Sequence, residues 1–256
     1  MLSWTPFPFT SAYVYDPGCV AQHWQRLHAG DAEPMPGDDA VLQAWAHFHN
    51  GAFQSAFESG LGLGPAGVTV ANKACCVYAN YLEPSEKSRL ALFLETAERA
   101  RMQATIDPLN PAAWYWQAYA LGRYSQGISV AKALAEGLGQ RIRAALEETL
   151  RLQPLHADAH VALGAFHAEV IDKVGAMIGG VTYGAKKDEG MKLFRKALEL
   201  NPDSAIARIE YANAMVMLDG KKAMKEAEVR YAEAAACEPK DAMERLDVEL
   251  AKSEIE

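Results

Sequence analysis

The sequence has no tract of basic residues and no apolar run long enough to cross a membrane. Its 256 residues include 25 Lys and Arg against 33 Asp and Glu, which gives a formal net charge of −8. Because phosphate binding needs a basic stripe, this balance argues against nucleic acid as a partner. The longest apolar stretches are interrupted by Gly, Lys or Glu well short of the ~20 residues that a membrane-spanning helix requires. We therefore expect a chain with no membrane span and no nucleic-acid partner.

The N-terminus also lacks the features of a secretory signal. The stretch MLSWTPFPFTSAYVYDPG has neither a cationic start nor an uninterrupted apolar core. The sequence therefore predicts a cytoplasmic location.

Cysteine is scarce and has no pattern typical of metal binding. The four residues are Cys19, Cys75, Cys76 and Cys237. Cys75 and Cys76 are adjacent on a predicted helix and point to different faces, so they suit neither a disulfide nor a shared metal ion. We expect buried, small apolar side chains in a reducing compartment.

What the sequence does contain is a repeated helix-turn-helix pattern after residue 156. In the first unit, Leu163-Gly164 lies where the first helix crosses the second, Phe194 and Ala197 lie on the second helix, and Asn201-Pro202 closes the unit. Small residues at a crossing let two helix backbones approach closely, and large residues fill the seam between helices. Proline follows a helix that it cannot continue.

A second unit follows with the same order of features. It starts at Ala205, carries Tyr211-Ala212 at the crossing and closes at Glu238-Pro239. Its second helix carries Ala227, Tyr231 and Ala234. The sequence also indicates earlier repeats. One ends at residues 107–110, another runs from residue 111 to 154, and residues 50–57 match the repeat pattern more weakly.

These units resemble tetratricopeptide repeats, pairs of antiparallel helices of about 34 residues, across roughly residues 40–240. The prediction is an all-α fold: an irregular, right-handed helical solenoid whose last segment, residues 242–255, forms a capping helix over the final apolar face. We assign residues 1–37 to an N-terminal arm and short helix. Residues 38–256 form a single repeat domain, with insertions near 124–137 and 175–187.

The arrangement of the C-terminal half has a more particular resemblance. The insertions after Gly122-Arg123-Tyr124 and after Val170, the run ALELNP at 197–202, and Leu246 with Glu249-Leu250 resemble the regulator of microtubule dynamics family and its bacterial relatives. More distantly, the N-terminal half is similar to the tetratricopeptide T-component proteins of TRAP transporters, which also have irregular repeats. The resemblance implies the fold and an interaction module, and it leaves the partner open.

The N-terminal arm is rich in aromatic residues and proline. Residues 1–17 include Trp4, Phe7 and Phe9 among three prolines, a composition that favours extended backbone over helix. Three alternatives stay open at this stage. The arm packs against the first helices, docks in a groove of its own chain or of a neighbour, or is disordered.

The inner helices predict a partner-binding trough. Tyr115, Tyr119 and Arg123 are spaced by four and share one helix face, which in this register is the concave side. Equivalent positions of the next two units extend this face. The complete set of candidate partner-binding residues is Tyr115, Tyr119, Arg123, Val161, Ala165, Glu169, Ile209, Asn213 and Met217. The trough is either used by a partner or closed by the C-terminal helix.

The candidate motifs for catalysis or cofactor binding are incomplete. His156 and His160 have the i, i+4 spacing of two metal ligands and His167 is near, but His156 precedes or caps the helix and no glutamate lies between the pair. The glycine-rich stretch 175–184 lacks the Gly-Lys-Ser/Thr ending of a phosphate-binding loop and reads as an insertion loop. We expect no enzyme, no cofactor and no metal.

The sequence therefore favours a non-enzymatic adaptor or scaffold that binds a peptide or protein in the concave trough. Three alternatives remain: a carrier of a small apolar ligand, a self-assembling scaffold with exchanged arms, and a metal-dependent enzyme at the histidine cluster. The identity of the partner and the oligomeric state stay open.

Overall fold

The part of the chain that the computed structural model describes, residues 4–255, is helical and contains no strand. Two short 3-10 helices, at Gly64–Ala66 and Gly220–Lys222, accompany the α-helices. The α-helices are α1 Pro17–Leu27, α2 Asp39–His49, α3 Phe53–Gly62, α4 Val68–Tyr81, α5 Glu86–Ile106, α6 Pro111–Gln126, α7 Val130–Ala135, α8 Leu138–Leu152, α9 Ala157–Val174, α10 Ala176–Tyr183, α11 Lys187–Leu200, α12 Ala205–Asp219, α13 Met224–Ala235 and α14 Ala242–Ser253. The all-α prediction is confirmed.

Short polar side chains set where several helices begin. Asp38 accepts a hydrogen bond from the Ala40 N–H (2.8 Å), and Ser85 accepts one from the Ser88 N–H (3.3 Å). Asn110 does the same for the Ala112 N–H (3.0 Å) ahead of α6. Each bond satisfies an amide of the first turn that has no partner within the helix.

The described residues form two compact units. The first contains the described part of Met1–His28 together with Glu33–Leu138 and Lys240–Met243. The second contains Ala29–Ala32, Gly139–Pro239 and the described residues from Glu244 onwards. The boundaries drawn from the sequence, an arm over 1–37 and one repeat domain over 38–256, stay a prediction.

Helix α4 is the central element of the first unit. It packs against α2, α3, α5 and α6, and every residue from 69 to 79 is buried. Polar side chains on α4 are satisfied from α5: the Arg99 Nε donates to Asn72 Oδ1 (2.6 Å) and the Gln103 Nε2 donates to Thr69 Oγ1 (3.1 Å). Cys75 and Cys76 are buried here as predicted, whereas Cys19 and Cys237 are only half-buried. Because α4 is covered on all sides, its sequence lacks the amphipathic signature of a surface helix.

The second unit is organised around α9, which packs against α10, α11 and α12. A Cβ placed on Gly164 would lie 2.9 Å from the Phe194 ring, so only glycine permits this close crossing of α9 and α11. The Phe194 ring in turn stacks on Tyr211 of α12, with 5.2 Å between ring centroids and 5° between planes. The crossing predicted at Leu163-Gly164 is confirmed.

Both insertions contain helices. Residues 175–184, interpreted as a loop from the sequence, instead form α10, whose Gly179 and Tyr183 are buried. Gly175 (φ +82°) and Gly184 (φ +61°) bound it with backbone conformations that glycine adopts easily. The Tyr183 carbonyl accepts a hydrogen bond from Arg143 Nη1 (2.7 Å). The insertion near 124–137 likewise contains α7, which Ser129 caps.

Helix α14 covers apolar side chains of the last repeat, as the sequence predicted for a capping helix. Its Val248 and Ala251 pack with Ile209 of α12 and Ala234 of α13 in one buried cluster. Leu246 is buried too.

Candidate peptide-binding surfaces

On α6, the predicted trough residues progress from buried to partly exposed. Tyr115 is buried, whereas Tyr119 and Arg123 are half-buried. The Arg123 guanidinium carbon lies 5.4 Å from the centroid of the Tyr119 ring, and its Nη1 donates to Gln126 Oε1 (3.2 Å). Tyr119 and Arg123 thus form an ordered cation–π pair that a partner can reach in part.

On α9, the same progression recurs in the second unit. Val161 belongs to the buried core that includes Phe194 and Tyr211, and Ala165 packs against that core while half-buried. Glu169 is half-buried, and its Oε2 lies 3.4 Å from Lys173 Nζ. The α9 positions therefore offer one charged group, Glu169, at a partly exposed site.

On α12, the three predicted residues differ widely in their solvent exposure. Ile209 is only 2% exposed and lies in the core beneath α14. At this position the C-terminal helix covers the side chain, which is the second of the two alternatives that the sequence left open for the trough. Asn213 is half-buried, and its Oδ1 accepts a hydrogen bond from the Tyr231 hydroxyl. Met217 is 40% exposed.

Six of the nine candidates are on α9 and α12, two helices that pack against each other in the second unit. The other three are on α6 in the first unit. Contact between any of the nine and a partner stays a prediction.

Each of the three clustered histidines has a ring nitrogen within hydrogen-bonding distance of a main-chain group. His156 Nδ1 accepts from the Ala159 N–H (3.1 Å), His160 Nε2 lies 3.0 Å from the Pro154 carbonyl, and His167 Nδ1 accepts from the Lys186 N–H (3.2 Å). Burial, together with the nearby Arg143 charge, lowers the pKa of His167. Across residues 4–255 there is no group of three or more His, Cys, Asp or Glu placed to hold a metal ion. These imidazoles stabilise local backbone structure.

A second surface, which the candidate list from the sequence missed, lies beneath the N-terminal arm. The Trp4 ring stacks on Tyr78 (centroids 4.0 Å apart, planes 13° apart) and lies 5.1 Å from Phe57. Phe7 is buried, with its ring edge-on to Phe53 at 6.1 Å. Of the alternatives that the sequence left open, the structure shows the first: the arm from residue 4 onwards packs against early helices of the chain, α3 and α4.

Side chains of the first helices also hold the main chain of the arm. Gln54 Oε1 accepts from the Trp4 N–H (2.9 Å), and the Tyr78 hydroxyl accepts from the Thr5 N–H (3.4 Å). Asn50 accepts from the Tyr15 N–H through Oδ1 (2.7 Å) and donates to the Tyr15 carbonyl through Nδ2 (2.9 Å). We call the surface made by Gly51, Phe53, Gln54, Phe57 and Tyr78 the arm groove. The aromatic pattern of residues 4–9 was its only signal in the sequence.

Among the described helices, none combines the length and the apolar character needed to traverse a lipid bilayer.

Comparison with known proteins identifies the fold. No family model matches the chain, and no curated protein matches it in sequence. The solved structure of TTC0263, a thermophilic TPR protein of Thermus thermophilus, is similar with a TM-score of 0.58 and 16% identity, over 84% of this chain and 97% of that chain. Two structures of the MamA protein have TM-scores of 0.42 and 0.41 at 15% identity, over 83% and 87% of this chain and 91% and 99% of theirs. The resemblance to the regulator of microtubule dynamics family stays a prediction. The chain has a TPR-like helical-repeat fold.

Proposed function

We propose that this protein is a non-enzymatic interaction module that binds an extended segment of a protein partner along its inner helices. A TPR-like fold supports this, because stacked helix pairs present concave surfaces that suit extended segments. Rigid helices lose little conformational freedom on binding, so more of the contact energy appears as affinity.

One observation carries the proposal. Helices α9 and α12 are neighbours in the second unit. Glu169 on α9, and Asn213 and Met217 on α12, are partly exposed. Their chemistry suits a peptide: the Asn213 Nδ2 has donor capacity for a main-chain carbonyl while its Oδ1 bonds Tyr231. The unbranched Met217 adapts its shape to an apolar side chain, and Glu169 supplies a negative charge.

On α6, the Tyr119–Arg123 pair provides a positive charge beside an aromatic ring. The guanidinium recognises carboxylates through paired hydrogen bonds. A partner segment that binds at this pair would therefore carry an acidic residue.

The test is affinity capture from native lysate with mass spectrometry, comparing the wild type with a Tyr119→Ala/Asn213→Ala variant. Tyr231→Phe is the matched control, because it removes the same hydrogen bond to Asn213 and leaves the Asn213 amide in place. The proposal expects partners that the control retains and the double variant loses. Identical captures from all three proteins would contradict it, and so would equal losses from the control and the double variant.

A photo-crosslinking amino acid at Met217 identifies the contact directly. The control position is Val229 on α13, which is 54% exposed. A partner that crosslinks from residue 217 and not from 229 binds at the proposed face.

A further inference from the structure

The arm groove binds its occupant in the way that a receptor binds an extended peptide. Two of its side chains, Gln54 and Tyr78, accept hydrogen bonds from successive main-chain amides, those of Trp4 and Thr5. The Tyr78 hydroxyl is free to accept because it donates its own proton to Glu83 Oε2 (2.8 Å). Main-chain recognition of this kind provides affinity without reading the sequence, and side-chain pockets add selectivity.

Two side-chain sites give the groove its selectivity. Phe57 and Tyr78 form an aromatic platform for Trp4, and the Arg99 guanidinium lies 5.2 Å from the Phe57 ring. The second site receives Phe7. A Cβ on Gly51 would lie 2.4 Å from that ring, and Gly51 has φ +82°, so a glycine is needed both for the backbone and for the space.

The bound tip of the arm is separated from its base by an exposed connection. Between Phe7 and Tyr15, only Phe9 and Tyr13 are even half-buried, and Val14 is 84% exposed. At the base, Asn50 holds Tyr15 on both sides, and the Tyr15 hydroxyl donates to the Lys240 carbonyl (2.7 Å). Different contacts therefore hold the two ends of the arm: the tip lies on α3 and α4, and the base is bound by Asn50 and the Lys240 carbonyl.

We propose that the arm groove is a second peptide-binding site, and that residues 4–7 (Trp-Thr-Pro-Phe) are its internal ligand. The external ligand is an extended segment of a partner protein with the same chemistry: an aromatic residue, an aromatic residue three positions later, and a proline between them. Such a segment displaces the tip of the arm. This site uses α3, α4 and the turn before α3, and it stands independently of the face on α9 and α12.

Tethering determines how strongly the arm competes. A short flexible tether holds its ligand at an effective concentration of about 1 mM. With an intrinsic dissociation constant of about 10 µM for the tip of the arm itself, the tethered arm weakens the apparent affinity of a competing peptide about a hundredfold. The groove is consequently closed to weak ligands and opens to strong or multivalent ones.

The experiment uses a fluorescent peptide of residues 1–9, MLSWTPFPF, and measures binding by anisotropy to three full-length proteins. These are the wild type, a Trp4→Ala/Phe7→Ala variant whose groove is intact and whose arm is weakened, and the same variant with Gln54→Ala. The control peptide has alanine in place of its Trp and Phe. We expect saturable binding to the double variant and about a hundredfold weaker binding to the wild type. With Gln54→Ala we expect a further loss of about threefold to tenfold, the range for one neutral hydrogen bond.

Absence of binding to a folded double variant would overturn the proposal, as would equal binding of the control peptide. A wild-type chain that sediments as a dimer and monomerises in the double variant would overturn it in favour of arm exchange between copies. If the double variant does not fold, a protease site replacing the exposed residues 10–12 decides the matter. After cleavage, exchange of the native tip for the labelled peptide supports the proposal, and a tip that never exchanges overturns it.

Discussion

His49 and Asp241, separated by 192 positions in the sequence, are joined by a hydrogen bond of 2.7 Å between Nδ1 and Oδ2. Their side chains are 0% and 2% exposed. The His49 ring also lies 5.9 Å from Trp45 in a stacked arrangement and 5.2 Å from His28, edge to face. The segment around Asp241 is thereby held in the first unit by a polar contact in an aromatic surrounding.

Removing one partner of this contact should be costly. Asp241→Ala leaves the His49 N–H buried without its acceptor, and an unsatisfied buried polar group destabilises by about 1–3 kcal/mol. Urea unfolding measures the change. His49→Phe/Asp241→Ala should recover part of the loss, because it leaves no polar atom of the pair unsatisfied. The single variant His49→Phe completes the double-mutant cycle, and strictly additive losses would show that the two residues do not interact.

The close crossing of α9 and α11 gives a second prediction. Gly164→Ala places a methyl group 2.9 Å from the Phe194 ring, and the overpacking should cost about 1–3 kcal/mol of unfolding free energy. The matched control is Gly122→Ala on α6, where an added Cβ has no neighbour within 4 Å. Within a helix that change should be neutral or stabilising by up to about 1 kcal/mol. Equal effects at both sites in thermal or urea unfolding would contradict the crossing geometry.

The pKa of His167 predicts a pH dependence of stability. Burial, the largest cause, and the Arg143 charge lower this pKa from the ordinary value of 6.5, while Glu189 and Glu147 oppose the shift. The unfolded chain therefore binds a proton that the folded chain resists, and the unfolding free energy decreases as pH falls through the ordinary value. Protonation also removes the Nδ1 acceptor of the Lys186 N–H.

The matched variant is His167→Asn, which places an uncharged acceptor near the same amide. We expect it to be less stable than the wild type at about pH 7.5, with a smaller fall in stability towards about pH 5.5. Urea unfolding at the two pH values measures this difference. Parallel losses in both proteins would show that His167 does not contribute.

The two anchors of the arm should open independently. Asn50→Ala removes both hydrogen bonds to Tyr15, and Gln54→Ala removes the one to Trp4. Hydrogen exchange should accelerate by about tenfold at the Tyr15 amide in the first variant and at the Trp4 amide in the second. Acceleration at both amides in either variant would mean that the arm opens as one piece.

Cysteine reactivity reports the burial of α4. Burial raises the pKa of the Cys75 and Cys76 thiols, so their reactive thiolates are scarce in the folded protein. Iodoacetamide should modify the half-buried Cys19 first, and it should reach Cys75 and Cys76 only when the first unit unfolds. Peptide mapping after timed labelling checks this order. Rapid labelling of Cys75 or Cys76 without denaturant would contradict the packing of α4.

The amino-acid sequence by itself determined the repeat architecture. Helix caps such as Ser85, the glycine at position 164 and the proline after Asn201 act within one or two turns of chain, so their spacing predicts helix pairs directly. The apolar side of residues 242–255, which includes Leu246 and Leu250, predicted a capping helix for the same reason.

Only the tertiary structure decided which of these surfaces are available. Ile209 has the spacing of an inner-face residue, but whether α14 covers it depends on a contact across distant parts of the chain. The docking of Trp4 on Tyr78 and the pairing of His49 with Asp241 likewise join residues whose separation carries no periodic signal. Burial of those groups is favourable only once the helices have assembled around them, and for that reason local sequence patterns do not encode it.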